Sequence, residues 1–240
     1  MKKIISSVVV FLGLLLGSQA YAHVGYRNLD NLNPFVAAVG YDNGWYQGTQ
    51  PTLADSHTVR WYSFTLEQDS FVNISVENAG VGTYTTYNSA GVDTGNTFPV
   101  LADLDVGFSL YKGLVPASAY EGANIDGEPV WPVADGNNGL FNAVGDTTMG
   151  NNSGVVNTIE FITAVNDYGL GATESLSDFF LLAGVYSLVV GGAAADGVGA
   201  GAYGVIASLS VQPVPVPAAV WLMGSALIGL IGMRKRAITA

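Results

Sequence analysis

Residues 60–76 read Arg60-Trp61-Tyr62-Ser63-Phe64-Thr65-Leu66, then Glu67-Gln68-Asp69-Ser70, then Phe71-Val72-Asn73-Ile74-Ser75-Val76. Val72, Ile74 and Val76 alternate with Asn73 and Ser75, a period of two, and a strand sends alternate side chains to opposite faces. The polar link between the two runs predicts a hairpin. The same period recurs further out. Val106, Phe108 and Leu110 alternate with Gly107 and Ser109; Tyr186, Leu188 and Val190 share a face; so do Tyr203, Val205, Ala207, Leu209 and Val211. Each run is expected to be half core and half solvent, and β-branched and aromatic residues dominate all of them. Glycine is abundant, at 31 residues, and Asn-Gly, Asp-Gly and Gly-Asn pairs punctuate the chain as turns do. The fold class that follows is all-β: an antiparallel β-sandwich, jelly-roll-like, with long loops. Burial of two inner faces would be its main stabiliser, at roughly 25 cal/mol per Å² of apolar area. Residues 191–202, nearly all Gly and Ala, are expected to be a flexible loop between the last two strands. Segments 80–100 and 115–155 are expected to be loop-rich, and function to reside there.

The two ends have a different character. Lys2 and Lys3 precede an apolar run from Ile4 to Leu16, and Ala20-Tyr21-Ala22 follows with small residues at Ala20 and Ala22. This is the pattern of a secretory signal peptide, residues 1–22, removed by signal peptidase to leave His23 as the new N-terminus. The far end, residues 213–240, reads Val214-Pro215-Val216-Pro217-Ala218-Ala219, an apolar stretch to Met233, then Arg234-Lys235-Arg236. The 16 residues from Ala218 to Met233 fall a little short of the roughly 20 that span a hydrocarbon core. The basic cluster would keep the extreme C-terminus on the cytoplasmic side. A signal helix and a C-terminal transmembrane helix therefore flank a β-sandwich domain of residues 23–212.

The last 28 residues resemble the PEP-CTERM sorting tail, in a Val-Pro-x-Pro-Ala-Ala variant that lacks the Glu of Pro-Glu-Pro. The resemblance implies an exosortase as partner, transient inner-membrane anchoring, a Gram-negative source, and a destination at the cell surface or outside the cell. It also implies a structural or binding role linked to extracellular polysaccharide. In the body, Arg60 to Leu66, Val72 to Val76, Asp105-Val106-Gly107-Phe108-Ser109-Leu110-Tyr111 and Leu182-Ala183-Gly184-Val185-Tyr186-Ser187-Leu188-Val189-Val190 are similar to the pre-peptidase C-terminal modules. Those are secreted jelly rolls that bind or solubilise and do not catalyse.

Charge and motif content narrow the chemistry. The chain has eight basic residues, and only Arg27, Arg60 and Lys112 lie between the ends, against all nineteen acids. Such a field repels nucleic acid and anionic lipid. Cysteine is absent, which removes disulfides, thiolate metal sites and a cysteine nucleophile. Gly-x-Ser-x-Gly, His-Glu-x-x-His and phosphate-cradling loops are absent too, so no catalytic residue is assigned. The two histidines are His23 and His57. An N-terminal His offers its α-amino and ring nitrogens together, and a second His completes a nitrogen set suited to Cu(II). This resembles the histidine brace of lytic polysaccharide monooxygenases and small copper carriers, and implies a copper carrier or oxidative enzyme as the alternative function. Against it stands a plain role for His57 as a cap of the strand that follows.

Calcium is a weaker expectation, at Asp103 and Asp105, with Asp126, Glu128, Asp135 and Asp146 in Gly/Asn-rich stretches. Trp45 and Trp131, with Tyr46, Tyr84 and Tyr87, are expected as exposed loop aromatics that could stack on carbohydrate.

Overall fold

The structure is a computed structural model and describes residues 24–45, 52–119, 121–122, 139–151, 153–167, 173–194 and 200–215, with isolated positions 223, 225 and 228. The signal segment, the cleavage residues and His23 lie outside the described residues, as does most of the C-terminal tail. The described part of the chain is built of strands, and among its residues no helix is long and apolar enough to cross a membrane.

Two sheets face one another. The larger has seven strands in the order β1 (Tyr26–Asn28), β4 (Arg60–Leu66), β14 (Gly184–Gly192), β8 (Val106–Lys112), β12 (Val156–Val165), β11 (Thr147–Gly150), β9 (Glu121–Gly122). The smaller has four, in the order β13 (Thr173–Leu181), β5 (Ser70–Asn78), β15 (Ala200–Pro213), β2 (Phe35–Tyr41). Tyr62, Phe64 and Leu66 of β4, Tyr186, Leu188 and Val190 of β14, and Val106, Phe108 and Leu110 of β8 point inward. They meet Val72, Ile74 and Val76 of β5, Val205 and Ala207 of β15, and Phe35, Ala37 and Val39 of β2. The period-two reading of these runs therefore gives the correct inner face, except that the last run loses its cover at its end, where Val211 is 42 % exposed.

The hairpin expected over 60–76 does not form. β4 pairs with β1 and β14, and β5 with β13 and β15, so residues 67–69 carry the chain from one sheet across to the other. Ser70 and Phe71 then pair with Pro213 and Gln212 of the opposite sheet. A short polar link serves either connection, and here inward burial of both runs selects the crossing. The arrangement is also not wholly antiparallel, since β1 pairs parallel with β4 (Tyr26 with Trp61, Asn28 with Ser63).

A second correction concerns the outer face of the large sheet. β8 and β14 are buried on both sides, because a further layer covers the face opposite the main core. Trp45, Trp61, Tyr111, Phe141, Met149, Ile159 and Val189 form it, roofed by the short pair β3 (Leu53–Asp55) and β10 (Leu140–Asn142). Tyr111 donates to Asn142 O at 2.6 Å, and Trp61 lies 5.0 Å from the Phe141 ring, which fastens the roof to the sheet. Trp45 belongs to this core, with its Nε1 donating to Ser109 Oγ at 2.7 Å. It is 3 % exposed and presents no face to a sugar.

Small residues make this layer possible. Gly107, Gly191 and Gly192 form a floor under residues 42–45; a methyl group on Gly107 would meet the Trp45 ring, and one on Gly192 the Asp42 carbonyl. Trp45 N donates to Gly192 O at 2.8 Å, and Ala194 N to Asp42 O at 3.1 Å. The expectation of a flexible loop from 191 thus fails at its start. Gly191 and Gly192 end β14 and are buried, as is Ala193, and β15 already begins at Ala200. Within 80–100, β6 (Gly82–Tyr87) and β7 (Asp93–Val100) form a hairpin that carries Tyr84 and Tyr87. Tyr87 packs against Phe35 at 5.9 Å.

The two ends of the body lie at opposite poles. β1 enters beside Arg60, at the start of β4, whereas Pro213 leaves beside Ser70, next to Leu66 at the end of β4. Val214 N donates to Asp69 O at 2.9 Å, which holds the start of the C-terminal tail at that second pole.

Glu174 is an exception to the apolar interior, being 1 % exposed on β13. Its Oε1 accepts from Asp167 N at 2.8 Å. Burial pushes its carboxyl above the usual range; the Asp167 hydrogen bond opposes this, and the charges of Asp167 and Asp105 add to it. A pKa raised in the folded state means that the native protein binds the proton more tightly than the unfolded chain. The stabilisation is therefore complete below the unfolded pKa, roughly 4.3 for Glu, and is lost as pH rises through the raised value. Glu174→Gln keeps the acceptor without the charge. Its Tm is expected to exceed that of the wild type at pH 7.5, with the gap closing near pH 4 in thermal melts.

Candidate metal site and its neighbouring cavity

The turn between β3 and β4 is Asp55-Ser56-His57-Thr58-Val59, and Asp55 organises it. Its Oδ1 accepts from His57 N at 2.8 Å, an Asx turn, while its carbonyl accepts from Thr58 N at 3.1 Å and Val59 N at 3.2 Å. Asp55 N donates to Gly44 O at 3.0 Å, so the Trp45 segment seated on the glycine floor also holds this turn. Ser56 N donates to Gly139 O at 2.8 Å. Gly139 has φ of 92° and lies flat against the His57 ring, where a side chain would collide with the imidazole.

His57 Nδ1 lies 2.8 Å from Asp55 Oδ1, and both side chains are 26 % exposed. With the proton on Nδ1 facing the carboxylate, Nε2 is the basic nitrogen of the ring. A carboxylate–imidazole pair of this kind orients a metal-ligating histidine and raises its basicity. The capping role expected of His57 belongs instead to Asp55.

The chain immediately after His23 is fixed close by. Val24 is buried, its N–H donates to Ala119 O at 2.7 Å, and its carbonyl accepts from Ser118 N at 3.0 Å. Gly25 and Ser56 then line one cavity of about 370 Å³, with Tyr26, Arg27, Arg60, Trp61 and Asn88 among its walls. The sequence neighbours of both histidines therefore converge on one cavity.

The remaining candidates are dispersed. Asp103 Oδ1 accepts from Asn78 Nδ2 at 2.8 Å, and Asp105 is buried at 7 % exposure where the chain enters β8. Asp146 accepts from Phe161 N at 2.7 Å, a structural bond. Among the described residues no three His, Cys, Asp or Glu side chains come together as a metal site, so the calcium expectation finds no cluster there. Asp126, Glu128, Asp135, Trp131 and Tyr46 lie outside the described residues. Tyr84 does not project from a loop; its hydroxyl donates to the carbonyl of Ala79.

The arginines of the cavity were not singled out by the sequence. Arg27 lies opposite Tyr62 in the β1–β4 register, and Arg60 begins β4. Burial lowers the pKa of Arg60 to about 10, with repulsion from Arg27 as the next cause, and burial lowers that of Arg27 too. Tyr62 between them is pushed up to about 12 by burial, against the pull of both cations. The available signal was compositional: two of the three cations in an acidic body face the same space.

No family model matches the chain. No curated protein matches it. Among solved structures the chain is similar, at 16% identity and a TM-score of 0.46, to CorA, described as a surface-associated copper-binding protein important in Methylomicrobium album BG8 copper acquisition, over 79% of this chain and 99% of that one.

Proposed function

We propose that the mature chain is an exported surface protein whose β-sandwich binds copper and does not catalyse, the metal being held by His57 together with the N-terminal His23. The observation that carries this reading is the Asp55–His57 pair, set in a turn clamped at Gly44 and Gly139, beside the cavity that the chain enters directly after His23. The donor set suits the metal. The α-amino and ring nitrogens of His23 with Nε2 of His57 are three neutral nitrogens, which Cu(II) takes in tetragonal arrangement. Asp55 supplies the outer-shell carboxylate that fixes the tautomer.

The tail fits the same reading. If residues 213–240 are a PEP-CTERM-like anchor handled by an exosortase, the departure of the chain beside Ser70 puts the anchor at one pole and His57 at the other. A metal site at that far pole faces away from the membrane.

The test is mass spectrometry of the exported protein followed by copper titration read by electron paramagnetic resonance. The mature mass is expected to begin at His23. His57→Ala is expected to weaken copper binding at least about 100-fold, more than the roughly 10–100-fold that loss of an outer-shell partner brings. A mature chain that starts elsewhere, or a His57→Ala protein with wild-type affinity, ends the proposal.

A further inference from the structure

We infer that the cavity beside Arg27 and Arg60 is a binding site for a hydroxylated organic carboxylate the size of a sugar acid. This is separate from the metal reading, because the groups that carry it are arginines and not histidines.

The first reason is charge. Two like charges stand together at the edge of the main core, and among the described residues no carboxylate forms an ion pair with either arginine. Arg27 Nη1 donates to Gly25 O at 3.3 Å and Arg60 Nη1 to Val59 O at 2.8 Å. Each guanidinium thus spends one of its several N–H donors on a backbone carbonyl. Taking a cation out of water costs several kcal/mol unless an opposite charge compensates, and nineteen acids were available to the chain. None is used here. The lowered pKa of Arg60 expresses the same deficit.

The second reason is unspent hydrogen bonding. Arg60 Nε, Trp61 Nε1 and Ser56 Oγ are buried without a hydrogen-bond partner, and all three residues line the cavity. Unmade buried hydrogen bonds cost about 1–3 kcal/mol each, so each of these groups gains from a polar guest that it can reach. Arg27 and Arg60 also line a second, smaller cavity of about 140 Å³ with Tyr87 and Phe98. Both arginines therefore border two spaces.

The third reason is shape. About 370 Å³ lies within the range of small-molecule sites. It far exceeds what a bare oxyanion fills, given about 30 Å³ for a water molecule. Tyr26 and Tyr87, both half-buried, offer aromatic surface, while Asn88 and Ser89 offer polar groups at the same mouth. A planar carboxylate matches the guanidinium fork in bidentate fashion, and a ring with hydroxyls matches the rest.

The experiment is calorimetric titration of the mature, metal-free protein with glucuronate, a glucuronate oligomer, glucose and inorganic phosphate. Glucuronate is expected to bind and to raise Tm, with glucose at least about tenfold weaker. A preference for the oligomer assigns the source to a polymer, and a preference for the monomer to a free acid. Arg60→Gln and Arg27→Gln are each expected to weaken glucuronate at least tenfold. Arg60→Gln is expected to melt no lower than the wild type without ligand, since it removes a desolvated charge beside another, and this separates lost binding from lost folding. His57→Ala is expected to bind glucuronate as the wild type does, so the two proposals fail independently. No glucuronate binding at millimolar concentration, phosphate binding more tightly than glucuronate, or an unchanged Arg60→Gln protein would each overturn the assignment.

Discussion

Phe64→Ala is expected to cost about 3–5 kcal/mol of folding stability, the range for truncating a buried aromatic. Phe64 is fully buried on the inner face of β4 and stacks on Tyr186, its direct cross-strand partner, with ring centroids 5.2 Å apart and planes 16° from parallel. The void cannot be closed by Tyr186 moving in, because its hydroxyl donates to Leu182 O at 2.6 Å and holds the ring in place. Nor can the sheet sag, since β14 is packed on its other face by the Trp61 and Phe141 layer. Urea unfolding followed by far-ultraviolet circular dichroism should show a lower midpoint with an unchanged slope. A loss below about 1 kcal/mol would mean that β4 and β5 do not close on each other as described.

Phe64 also shows which part of the fold can be read from the sequence. Its run alternates, and alternation names the inward face whichever strand lies beside it. What alternation does not carry is the partner. Glu67-Gln68-Asp69 is as good a bridge between sheets as it is a turn within one, and the choice is made by Val72 and Ile74 facing Phe64 across the core. The double burial of β8 had a fainter trace. The residues between Val106, Phe108 and Leu110 are Gly107 and Ser109, too small and too weakly polar for a solvent face. They are small because Trp45 lies on one and hydrogen-bonds to the other.

The candidate sites divide in the same way. Asp55 and His57 are two residues apart, so their pairing is local and the sequence displays both members. The approach of Gly25 to Ser56 is a product of the parallel β1–β4 pairing, which no local pattern announces. Arg27 and Arg60 meet for the same reason. Trp45 departs from the expected exposure although neighbouring Asp42-Asn43-Gly44 is turn chemistry, which ordinarily leaves side chains at the surface. Here the turn folds down onto glycine and takes the indole with it.

The glycine floor supports the strongest claim about how fold and site are linked, and Gly192→Ala tests it. The added methyl would overlap the carbonyl and Cα of Asp42, which are backbone atoms and not the flexible end of a side chain. Relief requires residues 42–45 to lift from β14. That breaks Trp45 N to Gly192 O and Ala194 N to Asp42 O, and it draws Trp45 Nε1 away from Ser109. Overpacking costs about 1–3 kcal/mol and each buried hydrogen bond lost adds about 1, so about 3–5 kcal/mol is expected in all. Gly154→Ala is the control: it has φ of 75° with nothing within 4 Å of the new methyl, so only the left-handed backbone resists, at about 1–2 kcal/mol. Because Gly44 O receives Asp55 N, lifting the segment also slackens the turn that aims His57. Gly192→Ala should therefore lose near-ultraviolet dichroism from Trp45 and weaken copper binding without touching a ligand. If it unfolds at the same urea concentration as the wild type, residues 42–45 do not rest on β14, and the support assigned to Asp55 and His57 falls with that contact.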